Sequence, residues 1–274
     1  MMENWEFKDE IQVKKIDLAR ATLQMARTIA YPHLDVSLYH QKIDLLAAEI
    51  NKQISPDYSL NVKAELLMEF LFQNQRFKGN VEQYYDVRNS FVNDLLDRRL
   101  GIPISLSTLC IIVAHRLNMK AYGVGLPGHF IVMVPNGNQR LFFDPFNGGG
   151  RLSLEDCARL VERTTGFTGA FQPDWLDPVS EKQILVRMLT NLRAAYVQTE
   201  RWPEAISTVE CLHVLNPDDA TIIRDLGVLN YQRGKMNQAV EYLNRYAQKD
   251  PKATDLPFIK NGIAQKLDDW VKLN

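Results

Sequence analysis

Residues 101–150 read GIPISLSTLCIIVAHRLNMKAYGVGLPGHFIVMVPNGNQRLFFDPFNGGG, and the period of the hydrophobic pattern changes halfway along them. Up to about Asn118, Leu106, Leu109, Cys110, Val113 and Leu117 fall on one side of a 3.6-residue spiral. Gly101 interrupts the chain before this run. Pro103 suits a first helical turn, where its missing N–H is one that a helix start leaves unpaired anyway. A buried helix is predicted. Beyond it Ala121–Gly125, His129–Val134 and Gln139–Phe143 read as strands, and Pro135-Asn136-Gly137-Asn138 between the last two holds the strongest short hairpin signal. With Asn136 and Gly137 as the loop of a type I′ turn, His129 stands directly opposite Asp144. Opposed residues share a face, with β-carbons roughly 4.5–5.5 Å apart. An imidazole–carboxylate pair is therefore expected, and a slip of one residue would separate the two side chains onto opposite faces.

N-terminal to this stretch the pattern is helical. Apolar faces run from Ile16 to Ile50, broken at Tyr31-Pro32, and helices are also predicted over Val62–Phe72 and from about Asn89 to Leu100. Towards the C-terminus the chain repeats itself. Leu192 recurs as Leu226, Ala205 as Ala239 and Pro217 as Pro251, each 34 residues on. That offset is the tetratricopeptide period. The two alanines sit where paired helices must approach closely, and the prolines follow the second helix of each pair, which they cannot continue. Arg193 stands where the second repeat has Gly227, and Asn230 where Tyr196 would recur, so the repeats are degenerate. Asp255–Leu273, with Ile259, Ile263, Leu267 and Trp270 at helical spacing, reads as a closing helix. Two domains are expected, over 1–178 and 179–274.

Composition removes several classes of function. The 32 basic and 33 acidic side chains nearly cancel, which gives no field of one sign for nucleic acid or anionic lipid. No run of 18 apolar residues exists, and the N-terminal residues do not pair a basic start with an apolar stretch, so neither a membrane partner nor an export signal is expected and the address is cytoplasmic. Cys110, Cys157 and Cys211 are widely spaced and odd in number, which fits reduced thiols rather than disulfides or structural zinc. His33, His40, His115 and His213 have no metal-ligand spacing. The glycines of 148–150 have no nucleotide-loop spacing. No cofactor and no metal are expected. Arg88, Arg98 and Arg99 could bind an anion, but Asp86, Asp94 and Asp97 alternate with them and favour a salt-linked surface.

Four strings, Tyr84-Tyr85-Asp86-Val87-Arg88-Asn89-Ser90, Gly101-Ile102-Pro103-Ile104-Ser105-Leu106-Ser107, Gly125-Leu126-Pro127-Gly128-His129-Phe130 and Asp144-Pro145-Phe146-Asn147-Gly148-Gly149, make the chain resemble the bacterial SirB-type family over roughly residues 15–274. The resemblance implies an α+β fold: a transglutaminase-like, papain-related domain with a helical N-terminal part and a small antiparallel sheet, followed by an all-α tetratricopeptide-like domain. In transglutaminase-like enzymes a Cys at the start of the buried helix is activated by the His, which the Asp orients. Aligned without gaps, this chain has Pro103 at that place.

Two substitutes are conceivable. Cys110 lies two turns further along, about 10 Å by the helix rise, and belongs to the apolar stripe. Ser105 and Ser107 are nearer the helix start, where a hydroxyl usually bonds unpaired backbone. Three functions follow. One is a non-catalytic interaction or regulatory module whose repeats hold a protein or peptide partner, with His129 and Asp144 kept for folding. Another is a hydrolase or acyltransferase that uses Ser105 or Cys110 with His129 as base and Asp144 as orienter. The last is a small-molecule sensor in the vestigial cleft.

Overall fold

The computed structural model describes residues 7–259. Its internal packing divides the chain into two compact units, Met1–Asn191 and Leu192–Asn274.

The first unit opens with four helices, α1 (Phe7–Ile11), α2 (Leu18–Ile29), α3 (Val36–Asn51) and α4 (Leu60–Glu69), the last running on into a π-turn over Phe70–Asn74. Short polar side chains start three of them. Asp17 accepts from Ala19 N at 2.9 Å, Asp35 from Leu38 N at 3.0 Å and Ser59 from Val62 N at 3.4 Å, each pairing an N–H that the helix start would leave open. Next come β1 (Lys78–Gly79), a 3-10 turn at Val87–Ser90, α5 (Val92–Arg98) and β2 (Leu100–Gly101), and β1 pairs with β2 in parallel. The helix expected from Asn89 to Leu100 is thus split. Phe91 is extended between the two pieces, and Arg99 at φ +62° ends α5.

The predicted buried helix is α6 (Pro103–Arg116), and it is more deeply enclosed than a one-sided stripe implies, since every residue from Pro103 to Ala114 is buried. Three strands follow, β3 (Tyr122–Val124), β4 (Ile131–Asn136) and β5 (Gln139–Asp144), then β6 (Gly150–Leu152), α7 (Leu154–Thr165), a 3-10 turn at Pro173–Leu176, β7 (Pro178–Val179) and α8 (Glu181–Gln198). The sheet is antiparallel in the order β6-β5-β4-β3-β7. One of its faces carries Ile131, Met133 and Phe142 against Cys157, Leu160 and Val161 of α7.

The hairpin corrects the expected register. Asn136 pairs with Gln139, so the loop is Gly137-Asn138, and Gly137 takes φ +59° at the first central position, where a type II′ turn needs glycine. The ladder is displaced by two residues: Phe143 faces Val132, and His129 lies diagonally across from Asp144 rather than opposite it. A displacement of two keeps every side chain on its own face.

The second unit holds the end of α8 with α9 (Trp202–Leu215), α10 (Ala220–Gln232) and α11 (Met236–Lys249). Ala205 and Ala239 are fully buried, and a β-carbon added at Gly227 would fall 2.4 Å from Leu243 Cγ, so α10 and α11 approach too closely for any other residue there. The degenerate positions have their own partners. Arg193 pairs with Asp225, and the buried Asn230 donates to Leu226 O at 2.8 Å. The closing helix expected over Asp255–Leu273 lies mostly outside the described residues.

Candidate functional site

Pro103 is the first residue of α6, and Ile102 before it is extended. The hydroxyls that follow are all engaged. Ser105 Oγ donates to Asn89 O at 2.6 Å and accepts from Ile102 N at 3.1 Å, tying the helix start to the preceding loop. Ser107 Oγ donates to Phe130 O at 3.2 Å, and Thr108 Oγ1 to Ile104 O at 2.7 Å. The three residues are fully buried. Cys110 is buried in the same helix, and burial pushes its thiol far above the ordinary range, where the thiolate is suppressed.

His129 and Asp144 are brought together. Nε2 of His129 lies 2.9 Å from Oδ1 of Asp144, with the residues 4% and 3% exposed. An ionised carboxylate only accepts, so Nε2 carries the proton. Asp144 is also held by its own loop: Oδ1 accepts from Phe146 N at 3.1 Å and Asn147 N at 3.3 Å, and Oδ2 from Asn147 Nδ2 at 2.6 Å. Burial alone would raise its pKa, but the bonds from His129 and Asn147 outweigh burial and hold the carboxyl below its usual range. Among the described residues, no hydroxyl or thiol is hydrogen-bonded to the His129 ring. The geometry is that of a base with an orienter and without a nucleophile.

An aromatic chain covers the pair. The Phe146 ring stands edge-on to His129 with centroids 6.0 Å apart, Tyr84 to Phe146 at 5.9 Å, and Tyr85 to Tyr84 at 5.4 Å. Two buried asparagines shape the loop that carries the tyrosines. Asn80 Nδ2 donates to Asn89 Oδ1 at 3.0 Å, and Asn89 Nδ2 donates to Gln83 O at 2.7 Å and Tyr84 O at 3.2 Å. The charge alternation is paired only in part: Asp86 pairs with Arg88 at 2.7 Å and Arg98 at 3.3 Å, whereas Arg99 lies over the Phe77 ring and has no acidic partner among the described residues, Asp94 accepts from Tyr31, and Asp97 pairs with Lys42 at 2.5 Å.

Sequence reasoning passed over Asn89 and Arg187. A buried Asn inside a run of helical character gives no periodic signal, and Arg187 is one charge on an amphipathic helix. Its side chain reaches back from α8 to donate to His129 O at 2.8 Å and to Leu126 O at 3.4 Å. Among the described residues, no group of three or more His, Cys, Asp or Glu side chains is placed to hold a metal, and no helix is long and apolar enough to cross a membrane.

Comparison with known proteins agrees with this architecture. The family model described as the transglutaminase-like superfamily matches residues 37–190, and that described as the tetratricopeptide repeat matches 192–264. A UPF0162 protein of Xylella fastidiosa (strain Temecula1) is 33% identical over 98% of this chain and 96% of its own length. F-box only protein 21 of Homo sapiens is 30% identical over 44% of this chain and 20% of its own length. Among solved structures, menin aligns at 11% identity with a TM-score of 0.41 over 86% of this chain and 67% of menin, a likeness too distant to bear on function. With its helical first part, its small antiparallel sheet and its trailing repeats, the chain belongs to the transglutaminase-like superfamily, in the group of the UPF0162 proteins.

Proposed function

We propose that this chain is a non-catalytic transglutaminase-like and tetratricopeptide protein of the SirB type. It works in the cytoplasm as a protein-interaction or regulatory module and needs no cofactor. In this reading the first unit presents a rigid surface around a vestigial site, the repeats hold a protein or peptide partner, and His129 and Asp144 are kept because together they satisfy two buried polar groups. The observation that carries it is the state of the hydroxyls and thiol of α6. Ser105, Ser107 and Thr108 are bonded to backbone carbonyls, and the Cys110 thiol is held protonated by burial.

The alternative, a cysteine- or serine-dependent hydrolase or acyltransferase driven by His129 and Asp144, requires the buried Cys110 thiol to ionise, or Ser105 to abandon Asn89 and Ile102 and turn towards the imidazole. A fluorophosphonate probe separates the two readings. Intact-mass analysis of the full chain is expected to show no serine adduct after prolonged treatment. A stoichiometric adduct on Ser105 that disappears in His129→Ala would establish the enzyme reading instead.

A further inference from the structure

Arg187 is placed beside the site but has no counter-charge. Its Nη2 is tied to the carbonyls of His129 and Leu126, and its Cζ lies 5.3 Å from the centroid of the Phe130 ring. Among the described residues no carboxylate pairs with it, and its Nε and Nη1 groups make no hydrogen bond, whereas Arg88, Arg98, Arg151 and Arg159 each have an acidic partner. Partial burial of a guanidinium without an anion is unfavourable, and two carbonyls offset only part of that cost.

From the His129 ring a chain of aromatic rings runs out to an exposed tyrosine. Tyr85 is 80% exposed, and the Tyr85–Tyr84–Phe146 chain of rings leads from it to His129, whose carbonyl Arg187 holds. The Tyr84 hydroxyl makes no hydrogen bond to a described residue. Burial and the neighbouring Tyr85 raise its pKa, and the charge of Arg187 pulls it back. The loop carries two acidic side chains, Asp86, which is engaged by Arg88 and Arg98, and the exposed Glu82, and neither forms a salt bridge with Arg187. The Asn80–Asn89 clasp fixes the loop, so little ordering remains to be done on binding.

We propose that this surface binds an acidic peptide segment, with a Glu or Asp carboxylate on the Arg187 guanidinium and a neighbouring apolar side chain on Tyr85, Tyr84 and Phe146. One planar cation fits one carboxylate bidentately, and the adjoining aromatic rings suit an apolar side chain, which a phosphate group does not bring. The proposal rests on the interaction reading and names what that module recognises.

The test uses the full chain and two acetylated pentapeptides, Gly-Phe-Glu-Phe-Gly and Gly-Phe-Gln-Phe-Gly, with binding followed by the NMR signals of Arg187 Nε–H and the Tyr84 and Tyr85 rings. The glutamate peptide is expected to bind about tenfold more tightly and to move all three signals. Arg187→Gln should abolish the preference, and Tyr85→Ala should weaken both peptides while keeping their ratio. Equal binding of the two peptides, no movement of the Arg187 signal, or a response to inorganic phosphate but not to the glutamate peptide would each overturn the site. The comparison of peptides needs no variant, so it stands even where Arg187→Gln fails to fold. A fluorophosphonate adduct on Ser105 would remove the non-catalytic reading and leave this ratio untouched, whereas equal binding would remove the site and leave that reading in place.

Discussion

Asp144→Ala is expected to lower the stability of the protein by about 3–5 kcal/mol, as removal of one partner of a buried pair does. Four donors converge on this carboxylate: His129 Nε2, the backbone N–H groups of Phe146 and Asn147, and Asn147 Nδ2. Alanine would leave the buried imidazole without its acceptor and release the partly buried N–H groups of Phe146 and Asn147. Asp144→Asn, which keeps an acceptor oxygen and loses the charge, should fall between the variant and the wild type. Urea unfolding reads the difference directly, and a change below about 1 kcal/mol for Asp144→Ala would mean that the pair does not hold the fold. The pH dependence follows from the same geometry. Because the folded-state pKa of Asp144 is depressed, its contribution is complete above the ordinary carboxylate range and is lost as pH falls through the folded value. The gap in stability between wild type and Asp144→Asn should therefore close on acidification.

The second large effect concerns Cys110. A thiol that is fully enclosed by α6 and its neighbours, and whose pKa burial has driven far up, can react only when the chain opens. Alkylation of Cys110 by iodoacetamide is expected to be slower in the native protein than in the urea-unfolded chain by roughly a thousandfold or more, given typical domain stabilities. Peptide mapping after timed quenching measures this. Rapid native alkylation at Cys110, slowed by His129→Ala, would show that the imidazole reaches the thiol and would reopen the enzyme reading.

Much of the architecture is written in hydrophobic period. The run from Leu106 to Leu117 announced α6, the alternation on either side of Asn136 announced the hairpin, and the 34-residue recurrences of Leu192, Ala205 and Pro217 announced the helical pairs. The register was legible only in its parity. Asn-Gly marks the turn, but either Asn136-Gly137 or Gly137-Asn138 can form it, and both options keep His129 and Asp144 on one face. The short strands Gly150–Leu152 and Pro178–Val179 were not legible, because two or three residues carry no alternation. Within the site, the residues that a periodic pattern or a charge pair could flag were found. The ones that act through backbone carbonyls, Asn89 and Arg187, were not, since their partners lie 5 to 61 positions away and leave no local trace.

The central claim is that His129 and Asp144 act on each other rather than on a substrate. A double-mutant cycle of His129→Ala and Asp144→Ala, measured by urea unfolding of the full chain, tests it most directly. Each single change is expected to destabilise, and the two together by less than the sum, with a coupling of at least about 1 kcal/mol. A His129→Ala protein as stable as the wild type or more so, with coupling near zero, would contradict the account and mark the pair as groups held at a cost to the fold, as functional sites are.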